Sequence, residues 1–103
     1  MIHVIATIRA QDSKLEVLTS AFRAVLPQVR AKPGCIEYKL AINLRTGMPG
    51  QSTFSDDELV VIEKWTNLDA LRVHLLDPIY RSWYTTVWHL VAEAAMQVFE
   101  DVD

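Results

Sequence analysis

Two strand-like runs constrain this chain more than anything else in it. "IHVIATIR" (2–9) and "ELVVIEKW" (58–65) are rich in β-branched residues, and each is apolar on both of its faces. In the first, Ile2, Val4, Ala6 and Ile8 point one way, while His3, Ile5, Thr7 and Arg9 point the other. In the second, Leu59, Val61, Glu63 and Trp65 oppose Val60 and Ile62. A sheet with one face in water shows cleaner alternation than this, so both runs read as central strands that something covers on each side.

What lies between them supplies the rest of the fold. Residues 15–29 place Leu15, Leu18, Phe22, Val25, Leu26 and Val29 at helical spacing, behind a candidate capping box of Ser13 and Glu16 with Asp12 as a rival cap. Pro27 inside that stripe predicts a kink or a break into two helices, and Pro33-Gly34 ends the segment. "CIEYKLAINL" (35–44) alternates as a half-buried strand near an edge. Residues 45–57 form a long polar connection, which could lid a pocket or, as we favour, reach a partner subunit. Asn67 caps a helix to about Leu76, Pro78 interrupts it, and a second helix spans roughly 79–92 with Tyr80, Trp83, Tyr84, Val87 and Val91 on one face. "MQVFEDV" closes the chain as a short strand. The order is βαββαβ, a ferredoxin-like α+β fold with a four-stranded antiparallel sheet and helices on one face. A second copy packed sheet to sheet would cover the other face, giving a homodimeric α+β barrel.

The 103 residues read as one domain, 1–103. Net charge is −3, and Lys and Arg are scattered among acids, so neither nucleic acid nor an anionic membrane is an expected partner. No apolar run approaches the ~20 residues of a membrane span, and the first residues look like a strand rather than a signal peptide. Cys35 is the single cysteine, which suits a reducing cytoplasm and rules out an internal disulfide.

A few polar residues stand out against the apolar pattern. Glu63 shares a strand face with Trp65 and is costly there without a partner, either a helix N-terminus or an arginine such as Arg81; the other reading is a charge that serves a pocket. His74 lies on the inner edge of its helix, as a hydrogen-bonded core residue or a general base. Tyr38 faces either the pocket or the dimer seam. Tyr80, Trp83, Tyr84 and Trp88, at helical spacing, are core or pocket wall, and Trp65 is core or an aromatic wall for a planar ring. His3 reads as structural and His89 as solvent-facing. Cys35 reads as a small buried residue. The histidines and the cysteine have no metal-ligand spacing, and the glycines lie in turns rather than in a phosphate loop, so no metal or cofactor is expected.

"PGCIEYKL", "TGMPGQ", "VVIEKWTNLDALRVHL" and the closing "MQVFEDV", in that order along the chain, resemble the antibiotic biosynthesis monooxygenase (ABM) family, and within it the small bacterial quinol-monooxygenase-like proteins. Glu-x-Trp with Leu-x-x-His, the histidine nine residues after the tryptophan, is the most specific part. The resemblance implies a dimeric barrel with a pocket between sheet and helices. It also implies oxygenation of a quinol or a related planar phenol by dioxygen without flavin, haem or metal. On that activity His74 would accept a proton, Glu63 would orient or charge it, and Trp65, Tyr38, Tyr80 and Trp83 would bind substrate. The alternatives are an isomerase of a small metabolite on the same fold, or a non-catalytic dimeric small-molecule-binding module. The chain departs from the family where Ile79 replaces a second histidine and where Lys39-Leu40 replaces a Gly-Pro. It also lacks, around Ser82 and Trp83, the histidine that haem-degrading relatives use.

Overall fold

A computed structural model describes residues 1–52 and 55–103. The sequence's connection 45–57 therefore runs through two positions outside the described residues. The elements are β1 (Ile2–Ala10), α1 (Leu15–Arg30), β2 (Cys35–Ile42), β3 (Glu58–Trp65), α2 (Leu68–Leu76), α3 (Pro78–Val87), a 3-10 turn at Trp88–Leu90 and β4 (Val91–Glu100).

The two strands that are apolar on both faces do take the centre. Sheet order is β2-β3-β1-β4, antiparallel throughout, with the helices on one side. Register sets the rows that face them. Tyr38 lies opposite Glu63 and Glu63 opposite Val4; the next row holds Leu40, Val61, Ala6 and Met96. Leu18, Phe22, Val25 and Val29 of α1 close over these rows with Leu71 and His74 of α2. Ile5, Val60 and Ile62 lie on the other face, half-buried and with no helix over them.

Three local expectations fail, each for a physical reason. Ser13 takes a positive φ of 64°, which puts it outside the extended geometry an N-cap needs, so α1 starts at Leu15 without a capping box. Pro27 neither breaks nor splits α1, which runs uninterrupted through it. That proline is on the exposed side, as is Arg23, whose carbonyl has no helical donor in the proline, while Val25 and Val29 hold the helix to the core. The helix expected to reach residue 92 stops at Val87, and β4 starts at Val91 rather than Met96. Alanines at 92, 94 and 95 favour helix locally, but pairing along all of β1 overrides that preference.

Other boundaries follow their signals. The Asn67 side chain accepts the Ala70 N–H at 2.9 Å and starts α2. Asp77 ends α2 and caps α3, its Oδ1 accepting the Ile79 N–H at 3.0 Å, with Pro78 as the first helical residue. Among the described residues, no helix is long and apolar enough to cross a membrane.

Candidate functional site

A cavity of about 460 Å³ opens between the sheet and the α2–α3 pair. Ala6, Val61 and Glu63 form part of its floor, and Ala94, Ala95 and Met96 of β4 extend it; His74, Tyr80 and Tyr84 close it from the helices, with Arg81 among its exposed lining residues. Small side chains on β1 and β4 leave the room that the aromatic side chains do not fill.

Glu63 is only 5 % exposed. Its carboxyl's sole hydrogen bond among the described residues comes from its own strand: the Trp65 indole N–H donates to Oε1 at 2.9 Å. Neither of the partners expected from sequence is used, because the register directs Trp65 back beneath Glu63 while Arg81 lies on the exposed side of α3. Burial raises the carboxyl from its ordinary value to about 7, and the indole bond offsets only part of that.

His74 is 1 % exposed and enclosed by rings. Trp65 stacks on it at 4.9 Å between centroids, Tyr80 lies tilted at 4.3 Å, and Tyr38 meets it edge-on at 5.8 Å. Its Nδ1 lies 2.8 Å from the Lys32 ammonium. Burial and that neighbouring cation lower its pKa to about 4, with Asp77 opposing, so the imidazole is neutral at ordinary pH. The Tyr38 and Tyr80 hydroxyls meet at 3.4 Å, and burial pushes the Tyr80 phenol up to about 12. Both phenols therefore keep their protons at neutral pH.

The cavity gathers His74, Glu63, Tyr38 and Tyr80 into its lining, and leaves Trp65 and Trp83 outside it. Trp65 is fully buried behind His74 and supports both polar groups instead of facing the open space. Trp83 turns toward α1, where it meets Phe22 edge-on at 5.0 Å. Ile79 is 72 % exposed and away from the cavity, so an imidazole at that position would face water in this chain. Cys35 is half-buried with its thiol pKa raised by burial, which disfavours the thiolate. Among the described residues no three His, Cys, Asp or Glu side chains are grouped to hold a metal.

Tyr84, one of the aromatic residues read as core or pocket wall, and Arg81, read only as a partner for Glu63, both line the cavity, whereas Lys32 had no functional signal in the sequence. Lys32 is 42 residues from His74, and only the chain reversal at Pro33-Gly34 brings it there. Gly34 has φ +82°, and its carbonyl accepts the Thr66 N–H at 2.9 Å, drawing the turn against the start of α2.

The architecture recurs in solved structures. Rv0793 from Mycobacterium tuberculosis superposes with a TM-score of 0.79 at 24% identity, covering 99% of this chain and 95% of that one. PA3566 from Pseudomonas aeruginosa gives 0.77 at 22%, covering 99% and 94%. A point mutant of SnoaB, described as a cofactor-independent oxygenase from Streptomyces nogalater, gives 0.75 at 18%, covering 99% and 93%. At these identities the likeness carries the fold. No curated protein matches the sequence. The model of the antibiotic biosynthesis monooxygenase family matches residues 1–86, and the chain belongs to that family.

Proposed function

We propose that the protein is a cofactor-independent monooxygenase acting on a quinol or a related dihydroxy-aromatic molecule, with dioxygen as co-substrate. One observation carries the reading: a carboxyl, Glu63, lines an aromatic cavity with its pKa raised to about 7. A quinol is its own reductant, so the protein must supply only a base, a donor for the developing anion and a dry slot. Glu63 takes a hydroxyl proton, being about half ionised near neutrality. The quinolate passes one electron to dioxygen, and the resulting semiquinone and superoxide couple at a ring carbon. Loss of water then leaves one oxygen atom on carbon, so quinol plus dioxygen gives hydroxyquinone plus water.

This assigns the proton to Glu63 rather than to His74, because an imidazole with a pKa of about 4 is a weak base at neutral pH. Tyr38 and Tyr80 serve as walls and weak donors. The description of SnoaB as a cofactor-independent oxygenase of the same fold supports the reading. The same reading has the protein working in the cytoplasm as a homodimer, the half-buried apolar side chains of Ile5, Val60 and Ile62 packing on their copies; a monomer in sedimentation at micromolar concentration would count against that arrangement.

Oxygen uptake with reduced naphthoquinols tests the chemistry. Wild type should exceed the uncatalysed rate and Glu63→Gln should fall by about 10²–10⁴, the usual worth of a positioned base. Equal rates for the two proteins would remove Glu63 from the mechanism. No uptake across several quinols would turn the reading toward an isomerase or a binding module.

A further inference from the structure

Lys32 occupies the turn after α1, its N–H donating to the Val29 carbonyl at 3.0 Å and its own carbonyl accepting from Cys35 at 3.1 Å. Its ammonium lies 2.8 Å from Asp77 Oδ2, 2.8 Å from His74 Nδ1 and 4.9 Å from the centre of the Tyr80 ring. An ammonium has three hydrogens and no acceptor, so Nδ1 must present its lone pair. The one hydrogen of the neutral imidazole is therefore on Nε2. That nitrogen is buried and has no hydrogen-bond partner among the described residues, on a side chain that lines the cavity. A buried donor left without an acceptor is unusual enough to point to a missing ligand.

We infer that Lys32, pinned by Asp77, is a positioning residue that holds His74 as an Nε2–H donor for an anionic oxygen of the substrate. The charged or titratable groups around the ring fit this role. Lys32 comes from the turn after α1, Asp77 from the α2–α3 junction, Tyr38 from β2 and Tyr80 from α3, with Glu63 of β3 lining the same cavity. When Glu63 takes the substrate's proton, negative charge is left on a ring oxygen. A neutral N–H stabilises that charge without competing for the proton. Protonating the ring would need Nδ1 to give up its bond and face the ammonium as a cation, so Lys32 also keeps the ring neutral. Asp77 divides its two oxygens between the Ile79 cap and Lys32, which ties the donor's orientation to the start of α3.

The inference rests on the oxygenase reading for its substrate, but its central claim is measured without turnover. Long-range 1H–15N spectra of the folded protein report which imidazole nitrogen carries the hydrogen. Wild type should show the Nε2–H form alone, Lys32→Arg should keep it, and Lys32→Met should give a mixture with the Nδ1–H form. Asp77→Asn, which can still cap α3, should give a partial mixture and serves if Lys32→Met does not fold. Addition of 2-hydroxy-1,4-naphthoquinone, an anion at neutral pH, should shift the Nε2–H resonance in wild type and far less in Lys32→Met. In turnover, Lys32→Met should lose about tenfold in kcat with KM moved less than about twofold, less than the loss of a whole oxyanion donor. An Nδ1–H form in wild type, or an unchanged tautomer in folded Lys32→Met, would overturn the inference. A wild type inert toward every quinol would defeat the oxygenase reading, and the tautomer result would still decide the role of Lys32.

Discussion

Replacing Glu63 with glutamine should uncover a pH dependence of stability that the native chain hides. Glu63 has a pKa of about 7 in the folded chain against an ordinary 4.5. The folded state therefore holds that proton more tightly, and the stability this contributes is complete below 4.5 and lost as pH rises through 7. At about 1.4 kcal/mol per pH unit, the total is about 3 kcal/mol. His74 runs the other way, from an ordinary 6.5 to about 4 when folded. The folded state resists that proton, so stability rises from pH 4 to 6.5, again by about 3 kcal/mol. Between 4.5 and 6.5 the two slopes cancel and the native curve is nearly flat. Glu63→Gln removes the falling slope only. Its stability relative to wild type should grow by about 3 kcal/mol between pH 4.5 and 7, while His74→Gln should show the mirror image. Urea unfolding at a series of pH values, analysed as the difference between variant and wild type, isolates these groups from the exposed carboxylates that both proteins share. A constant offset between the Glu63→Gln and wild-type curves would mean that Glu63 titrates as an ordinary surface carboxylate, and the case for it as a base near neutrality would collapse.

Three further outcomes follow from particular contacts. Gly34→Ala must adopt φ +82° and bring a methyl within 2.6 Å of Ala70 Cβ and 2.8 Å of Thr66 Oγ1, so it should cost about 2–5 kcal/mol in urea unfolding, with Ala70→Gly recovering only the first of these clashes. Trp65→Phe deletes the N–H that holds the Glu63 pKa down, so the rising limb of the pH–rate profile should move up by about one pH unit; an unmoved limb would mean that this bond is unimportant. Ala94→Leu adds bulk to the cavity from β4, and should raise KM for bicyclic quinols at least about tenfold while leaving the melting temperature within a few degrees.

Much of the fold was legible because a few residues have a single physical solution. Strands apolar on both faces must be central, Asn67 before an apolar-periodic run must cap, and Pro78 must start rather than continue a helix. What failed was local preference opposed by tertiary context: alanines at 92, 94 and 95 extend a strand because β1 offers a ladder, and Pro27 is tolerated because the carbonyl it leaves without a helical donor, that of Arg23, is on the exposed side of α1. The site was half legible. Glu63 and His74 stood out as polar residues on apolar faces, and register brought Tyr38 beside Glu63. Spacing could not reveal that Trp65 lies behind the imidazole rather than in front of it. Nor could it reveal Lys32, whose role depends on a contact 42 residues away.

The cavity's reactive groups and its empty space come from different parts of the chain. The groups proposed to handle protons sit on β3, α2 and the turn after α1, whereas the cavity extends along Ala94 and Met96 of an edge strand. Selection or an engineer can therefore widen, narrow or reshape the slot by changes on β4 that leave the base and its donor untouched. On the proposed chemistry, a lineage built this way can trade substrates while keeping its reaction, so sequence divergence at positions 94 and 96, whose side chains share the cavity face, would track the molecule that is bound, and divergence at Glu63, His74 or Lys32 would track whether anything is done to it.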